Sequence, residues 1–381
     1  MSTSPAPSLF THFPIEDYRH HEAEIDAALR TMLHGGHYIL GPEVDAFERE
    51  FAAFIGARHA IGVANGTDAI ELILRALDIG PGDRVVVPSH TAVASASGIS
   101  RAGAEPVFVD VDPLTCTMCP EALEALLASD FGQEVKAVLA VHIYGQPVAW
   151  SALKSVADKH GVLLLEDCAQ AHGATFEGNK AGALGLAAAF SFYPTKNLGA
   201  IGDGGAITTS DDALAERIRV IRQYGWKERY ISHCEGVNSR LDEMQAAILR
   251  VKLRTLPAQI RQRRAVAAAY ARGLAGLPGV DAPVDQPGCT HAYHLYVIRC
   301  AARDALMKHL QEQGVPVALH YPAAIHQQPG YAHITARSPA LPQTEMVVSR
   351  ILTLPLHPYL SPEAVTAVCQ AIHSFAQSQP R

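Results

Sequence analysis

The sequence predicts an α/β protein: a large, mostly parallel sheet flanked by helices, followed by a second, smaller α/β unit. Three observations predict it. Apolar runs alternate with helical patterns over the first two thirds of the chain. Those runs are apolar almost throughout, without the in-out alternation of a half-exposed strand, as expected of strands covered on both faces. The 381 residues also exceed what one small core needs, so a large domain at 1–275 and a small one at 276–381 are expected, with the N-terminal segment a candidate to pack on the small domain.

Element by element, Ala60–Ala64 reads as a strand and Thr67–Leu77 as a helix, its apolar residues spaced by three and four. Arg84–Pro88 reads as a strand, Val93–Arg101 as a helix and Pro106–Val109 as a strand. Helix Glu121–Leu127 leads to strand Ala137–Val141, and helix Trp150–Lys159 to strand Val162–Glu166. Two further strands fit at Ala188–Phe192 and Gly205–Thr209. Helices dominate from Asp211 to Gly273, broken by a polar loop at Tyr224–Asn238. The Pro- and Gly-rich stretch Gly276–Thr290 reads as a linker. The small unit then runs strand Tyr293–Arg299, helix Arg303–Gln313, strands Pro316–Leu319 and Ile351–Leu354, and helix Glu363–Gln377.

Composition narrows the function classes. A net charge of −7 with no basic stripe argues against nucleic acid as a partner. No run of about 20 apolar residues is present, so no membrane span is expected. Met1–Pro14 lacks a basic segment followed by an apolar one and does not read as a signal peptide. Seven scattered cysteines suggest reduced thiols and a cytoplasmic location. Cys116 and Cys119 form a lone CxxC without a second pair, which reads as a turn before a helix, and no metal is expected.

Four stretches carry chemistry. Asn65-Gly66-Thr67-Asp68 follows a buried strand and opens a helix, where free N–H groups and the helix dipole favour an anion. Read alone, it is an ordinary N-cap made by Thr67 or Asp68. Glu166-Asp167 ends an apolar strand, where a carboxylate wants a cationic partner: a ligand's protonated ring nitrogen, or else a nearby arginine. Gln170 follows within reach of the same ligand. The third stretch, Ser191-Phe192-Tyr193-Pro194-Thr195-Lys196-Asn197, puts a lysine in an apolar, glycine-rich setting that favours the neutral, nucleophilic amine. The other seven of the eight lysines read as solvated surface residues. In the fourth, Asn238-Ser239-Arg240-Leu241-Asp242-Glu243, Asn238 or Ser239 is a candidate N-cap.

Together these stretches resemble the DegT/DnrJ/EryC1/StrS family of sugar aminotransferases, of pyridoxal-phosphate fold type I (aspartate-aminotransferase-like). The likeness runs through GPEVDAFEREFAAFIGARHAIGVANGTDAIELIL at 41–74, GDRVVVPSHTAVASASGISRAGAEPVFVDVD at 82–112 and LLLEDCAQAHGATFEG at 163–178. It continues in FSFYPTKNLGAIGDGGAITT at 190–209 and RQYGWKERYISHCEGVNSRLDEMQAAIL at 222–249.

The resemblance implies pyridoxal 5′-phosphate as cofactor and Lys196 as its Schiff-base lysine and the catalytic residue. It implies that Asp167 faces the pyridine nitrogen, that Gln170 lies near the ring hydroxyl, and that Gly66, Thr67 and Ser191 cradle the phosphate with Asp68 beside them. Asn238 matches an asparagine that reaches the phosphate from the neighbouring subunit, which implies a homodimer with shared sites. Many members carry an aromatic after the Thr of the Pro-Ser-x-Thr segment, stacked on the ring; here Ala92 follows Thr91. His90 is then a candidate for stacking, or else a loop histidine bonded to backbone. His320, Tyr321 and His326 resemble a segment that binds deoxy keto-sugars, or else form a turn with surface histidines. The implied reaction moves an amino group from glutamate to a nucleotide-linked keto-sugar, with a dTDP-linked 3-keto-6-deoxyhexose favoured. The alternatives are amination at C4 and a non-catalytic, cofactor-binding regulatory protein of the same fold.

Overall fold

The computed structural model describes residues 13–335 and 339–378. Most of the segment Met1–Pro14 therefore lies outside the described residues. All seven expected strands of the large domain form one sheet. Its order is His59–Val63, Gly205–Thr209, Ala187–Ser191, Leu163–Asp167, Val135–Val141, Arg84–Pro88, Glu105–Val109. Gly205–Thr209 alone runs in the opposite direction to the other six. The other strands point their carboxyl ends to one edge, where open α/β sheets gather ligands. Among the described residues no helix is long and apolar enough to cross a membrane.

Strand alternation decides what each residue faces. Phe190 and Phe192 go to one side and pack with Phe47 and Phe51, ring centroids 5.0 to 5.4 Å apart. Such aromatic pairs contribute about 0.5–1.5 kcal/mol each beyond their area. Ser191, between the two phenylalanines, is left to face the other way.

Phe47 and Phe51 belong to helix Pro42–Ile55, which with helix Phe13–Gly35 precedes the first element read from sequence. Helix Pro342–Arg350 was likewise not expected. Helix Pro42–Ile55 has Gly41 at its N-cap, with no capping side chain. Its open N–H groups are met instead by the buried carboxylate of Glu243, which accepts from Gly41, Glu43 and Val44 at 2.7, 3.0 and 2.9 Å.

Several expectations need correction. The helix after the Asn238 stretch begins at Glu243, so neither Asn238 nor Ser239 caps it. Pro316–Leu319 is not a strand. It pairs through the single bridge Ala318 to Thr353, since Pro316 has no N–H to give a ladder. The linker 276–290 holds two short strands, Val280–Asp281 and Cys289–Thr290, and the loop 224–238 holds a small hairpin, Trp226–Glu228 with Ile231–Ser232. Cys116 takes a turn conformation at φ 61° and Cys119 precedes helix Pro120–Leu127. All seven cysteines are free thiols.

The small sheet joins Val280–Asp281, Tyr296–Cys300 and Ile351–Leu354, all antiparallel. Helix Glu243–Gly273 serves both cores. Ala246, Leu249, Leu253 and Leu256 pack with the phenylalanines, while Val266, Ala267 and Tyr270 pack in the small core. Helix Phe13–Gly35 also touches the small unit, where Tyr359 donates to Asp17 Oδ1 at 3.0 Å.

Candidate active site

At the carboxyl edge of the sheet lies a cavity of about 430 Å³. It gathers Gly66, Thr67, Asp167, Gln170, Ser191 and Lys196 from three separate segments. Helix Gly66–Ala76 opens onto it. Its cap is Asn65, whose Oδ1 accepts from Asp68 N–H at 2.9 Å, so capping falls to neither Thr67 nor Asp68. A Cβ on Gly66 would sit 2.8 Å from Ser191 Cβ. Glycine is therefore what lets the two sides of this cradle meet.

Glu166 and Asp167 divide by strand alternation. Glu166 turns into the protein, where it accepts from Gly182, Leu184 and Gly185 N–H groups at 2.8 to 2.9 Å. It also meets His142 Nε2 at 3.0 Å. His142 Nδ1 accepts from Val148 N–H, so Nε2 carries the proton and donates to Glu166. Buried Cys168 lies 3.7 Å from the same carboxylate. In this His-Glu-Cys cluster every lone pair a metal would need on the histidine is in use.

Asp167 instead lines the cavity. Its Oδ2 accepts from Ser95 at 2.7 Å and its Oδ1 from Ala169 N–H at 3.0 Å. No Arg, Lys or His forms an ion pair with it among the described residues. It is a buried carboxylate still owed a cation.

Lys196 opens to the cavity on one side, while protein strips water from its other sides. That desolvation brings its pKa down to about 8, against the upward pull of the Asp167 charge. The apolar setting read from sequence is thus real: Phe192 and Leu198 are fully buried beside it. It is not the only sequestered lysine. Lys252 is buried as well, 2.8 Å from Asp17 Oδ2 and 2.9 Å from the Gly199 carbonyl. Periodicity places Lys252 on a helix but does not reveal the acid waiting opposite.

Gln170 is held at both ends of its amide. Oε1 accepts from Tyr144 N–H at 2.5 Å, and Nε2 donates to Tyr321 at 3.0 Å. Tyr321 therefore lies behind Gln170 and is not itself part of the cavity lining. Burial and the Asp167 charge push its hydroxyl up to about 12.

Other expected residues lie elsewhere. His90 is buried with its Nε2 on the Tyr144 hydroxyl at 2.6 Å. It is neither bonded to backbone nor part of the cavity lining, and Thr91 and Ala92 line the cavity in its place. Asp68 accepts from Ser239 at 2.7 Å and pairs with Arg101 at 3.2 Å. His326 spends Nδ1 on Ser89 and Nε2 on Glu345, at 2.7 and 3.2 Å, which leaves no ring nitrogen for a sugar. His320 Nδ1 meets Thr353 at 2.9 Å, and burial with the Lys196 charge lowers its pKa. Asn238 is exposed on the loop 224–238, away from the cavity of its own chain. Sequence reading missed Ser95, Tyr144 and Arg101, because nothing local marks them.

The donor set fits pyridoxal phosphate. The cradle of Gly66, Thr67 and Ser191 offers N–H and hydroxyl donors to a phosphate, Asp167 an unpaired carboxylate to a ring nitrogen, Gln170 an amide to a ring hydroxyl, and Lys196 an amine to an aldehyde.

Comparison with known proteins agrees. Residues 19–373 match the model of the DegT/DnrJ/EryC1/StrS aminotransferase family. The dTDP-3-amino-3,4,6-trideoxy-alpha-D-glucose transaminase of Streptomyces venezuelae is 44% identical, covering 94% of each chain. The erythromycin biosynthesis sensory transduction protein EryC1 of Saccharopolyspora erythraea is 45% identical over 93% of this chain and 96% of its own. A crystal structure of S. venezuelae DesV in complex with a ketimine intermediate superposes with a TM-score of 0.93 at 43% identity, over 99% of this chain and 100% of DesV. The chain belongs to the DegT/DnrJ/EryC1/StrS aminotransferase family and takes pyridoxal phosphate as its cofactor.

Proposed function

We propose that this aminotransferase moves an amino group from glutamate to the keto carbon of a dTDP-linked 3-keto-6-deoxyhexose. The observation that carries the reading is the meeting of Lys196 and unpaired Asp167 in one cavity. The substrate is supported by the S. venezuelae relative, named for a 3-amino sugar.

When bound, pyridoxal phosphate supplies a carbonyl carbon for amines and a ring that takes up negative charge. Gly66, Thr67 and Ser191 would hold its phosphate. Gln170, its amide set by Tyr144, would meet the ring hydroxyl, and Asp167 would balance a protonated ring nitrogen. Lys196 is the nucleophile. It then acts as the base that takes the proton from the donor's alpha carbon and as the acid that gives one to the sugar carbon receiving the amine. A pKa near 8 leaves a usable share of the amine neutral at neutral pH.

The exposed loop with Asn238 is proposed to complete the phosphate site of a second subunit, in a homodimer. Exposed Tyr230 and Ile231 in the same loop support a contact there. The free thiols support a cytoplasmic location. A panel of dTDP-, UDP- and GDP-linked keto-sugars with glutamate tests the substrate. Turnover should be best on the dTDP-linked 3-keto-6-deoxyhexose, and a clear preference for a 4-keto sugar sinks that assignment. The name of the S. erythraea relative favours a regulator as second reading. For a regulator, glutamate should leave the visible spectrum of the bound cofactor unchanged.

A further inference from the structure

The cradle built from Gly66, Thr67 and Ser191 offers neutral donors to a phosphate that carries close to two negative charges. Among the described residues only two cations line the cavity, Lys196 and Arg101. Lys196 is committed to the carbonyl chemistry. Arg101 is the last residue of helix Val93–Arg101, which packs on helix Gly66–Ala76 so closely that a Cβ on Gly98 would sit 3.0 Å from the Thr67 carbonyl. This packing brings Arg101 to the rim of the cavity that holds Asn65, Gly66 and Thr67.

The guanidinium is aimed by two buried carboxylates of the cradle helix. Nε meets Glu71 Oε2 at 2.7 Å and Nη2 meets Asp68 Oδ1 at 3.2 Å. Asp68 is itself held by Ser239, and Glu71 also pairs with Arg75 at 3.2 Å. Nη1 forms no hydrogen bond among the described residues, and half of the side chain is open to solvent. Two carboxylates fix one edge of a planar donor fork and leave the other edge free. An arginine held this way loses little side-chain freedom on meeting an anion.

We propose that Arg101 is a binding residue for the cofactor's phosphate monoester, supplying the charged, oriented donor that the neutral cradle lacks, with Asp68 and Glu71 as its positioning residues. This rests on pyridoxal phosphate being the ligand of the cavity. It also gives Asp68 a role beside the phosphate that acts through Arg101.

The test compares binding of pyridoxal phosphate with that of pyridoxal, which lacks the phosphate, to cofactor-free enzyme, followed by visible absorbance and tryptophan fluorescence. Arg101→Gln should weaken pyridoxal phosphate by about tenfold and leave pyridoxal nearly unchanged. Arg101→Lys should recover part of that loss. The difference should shrink in high salt, because the arginine is half exposed. The ratio of the two affinities is insensitive to partial misfolding, since both ligands report on the same folded fraction. An unchanged ratio overturns the proposal. So does an unchanged ratio joined to a raised KM for the nucleotide-sugar, which would give Arg101 to the substrate's diphosphate instead. Failure of the wild-type protein to develop a visible band with pyridoxal phosphate would strike the cofactor reading itself, whereas an unchanged ratio strikes Arg101 alone.

Discussion

Lys252 Nζ lies 2.8 Å from Asp17 Oδ2 and donates to the carbonyl of Gly199, three residues beyond Lys196. One buried ion pair thus links the N-terminal helix, the long helix 243–273 and the loop that carries Lys196. Asp17 collects further donors from Gln259 at 2.9 Å and Tyr359 at 3.0 Å. Removing one partner leaves the other charge buried and unpaired. Lys252→Met should therefore cost about 3–5 kcal/mol, read by urea unfolding. The double variant Lys252→Met with Asp17→Asn should recover much of it. Equal losses in the single and double variants would show that the pair does not act as a pair.

Lys196→Ala should abolish turnover and the visible absorbance that depends on the lysine. A variant that keeps both places the chemistry elsewhere.

The lowered pKa of Lys196 predicts a pH profile. Capture of pyridoxal phosphate by cofactor-free enzyme should accelerate up to about pH 8 and then level off. Asp167 pulls that pKa upward, so Asp167→Asn should move the inflection to lower pH. Stopped-flow absorbance between pH 6 and 10, in about one-unit steps, checks both. An inflection that stays put in Asp167→Asn would remove Asp167 from the electrostatics of the lysine.

His172 is fully buried between Phe190 and Phe192. Burial, and then the Lys196 charge, takes its pKa down to about 3. Burial alone takes His90 down to about 4. Both must be neutral in the fold, while the unfolded chain protonates them near 6.5. The unfolded state therefore binds more protons between those limits, and stability should fall as pH drops from about 6.5 towards 4. His172→Phe should flatten that slope in thermal unfolding. An unchanged slope would show that other groups carry the acid sensitivity.

If Asn238 serves a neighbouring subunit, Lys196→Ala and Asn238→Ala chains mixed and reassembled should regain activity. In a mixed dimer one site then carries both defects and the other carries neither. Mixtures no more active than their parents would make each site self-contained.

The sequence by itself determined the seven strands of the large sheet, because each is a continuous apolar run bounded by turns. It also determined the line of Gly66, Thr67, Asp167, Gln170, Ser191 and Lys196, because each sits where a strand gives out and the chain must turn at the ligand edge. It could not decide what faces across space. Strand position alone does not separate Glu166 from Asp167, which only the resemblance singled out; the sheet sends one to three backbone amides and the other to the cavity. His326 read as either a sugar ligand or a surface histidine, and it is neither: it is buried, with Ser89 and Glu345 taking both its nitrogens. Glu243 caps a helix some 200 residues earlier in the chain, and Lys252 finds its acid in the first helix. Hydrophobic periodicity is a local signal that records which side of an element is buried. The partner of a buried polar group is set by packing between distant segments, and only the tertiary structure chooses it.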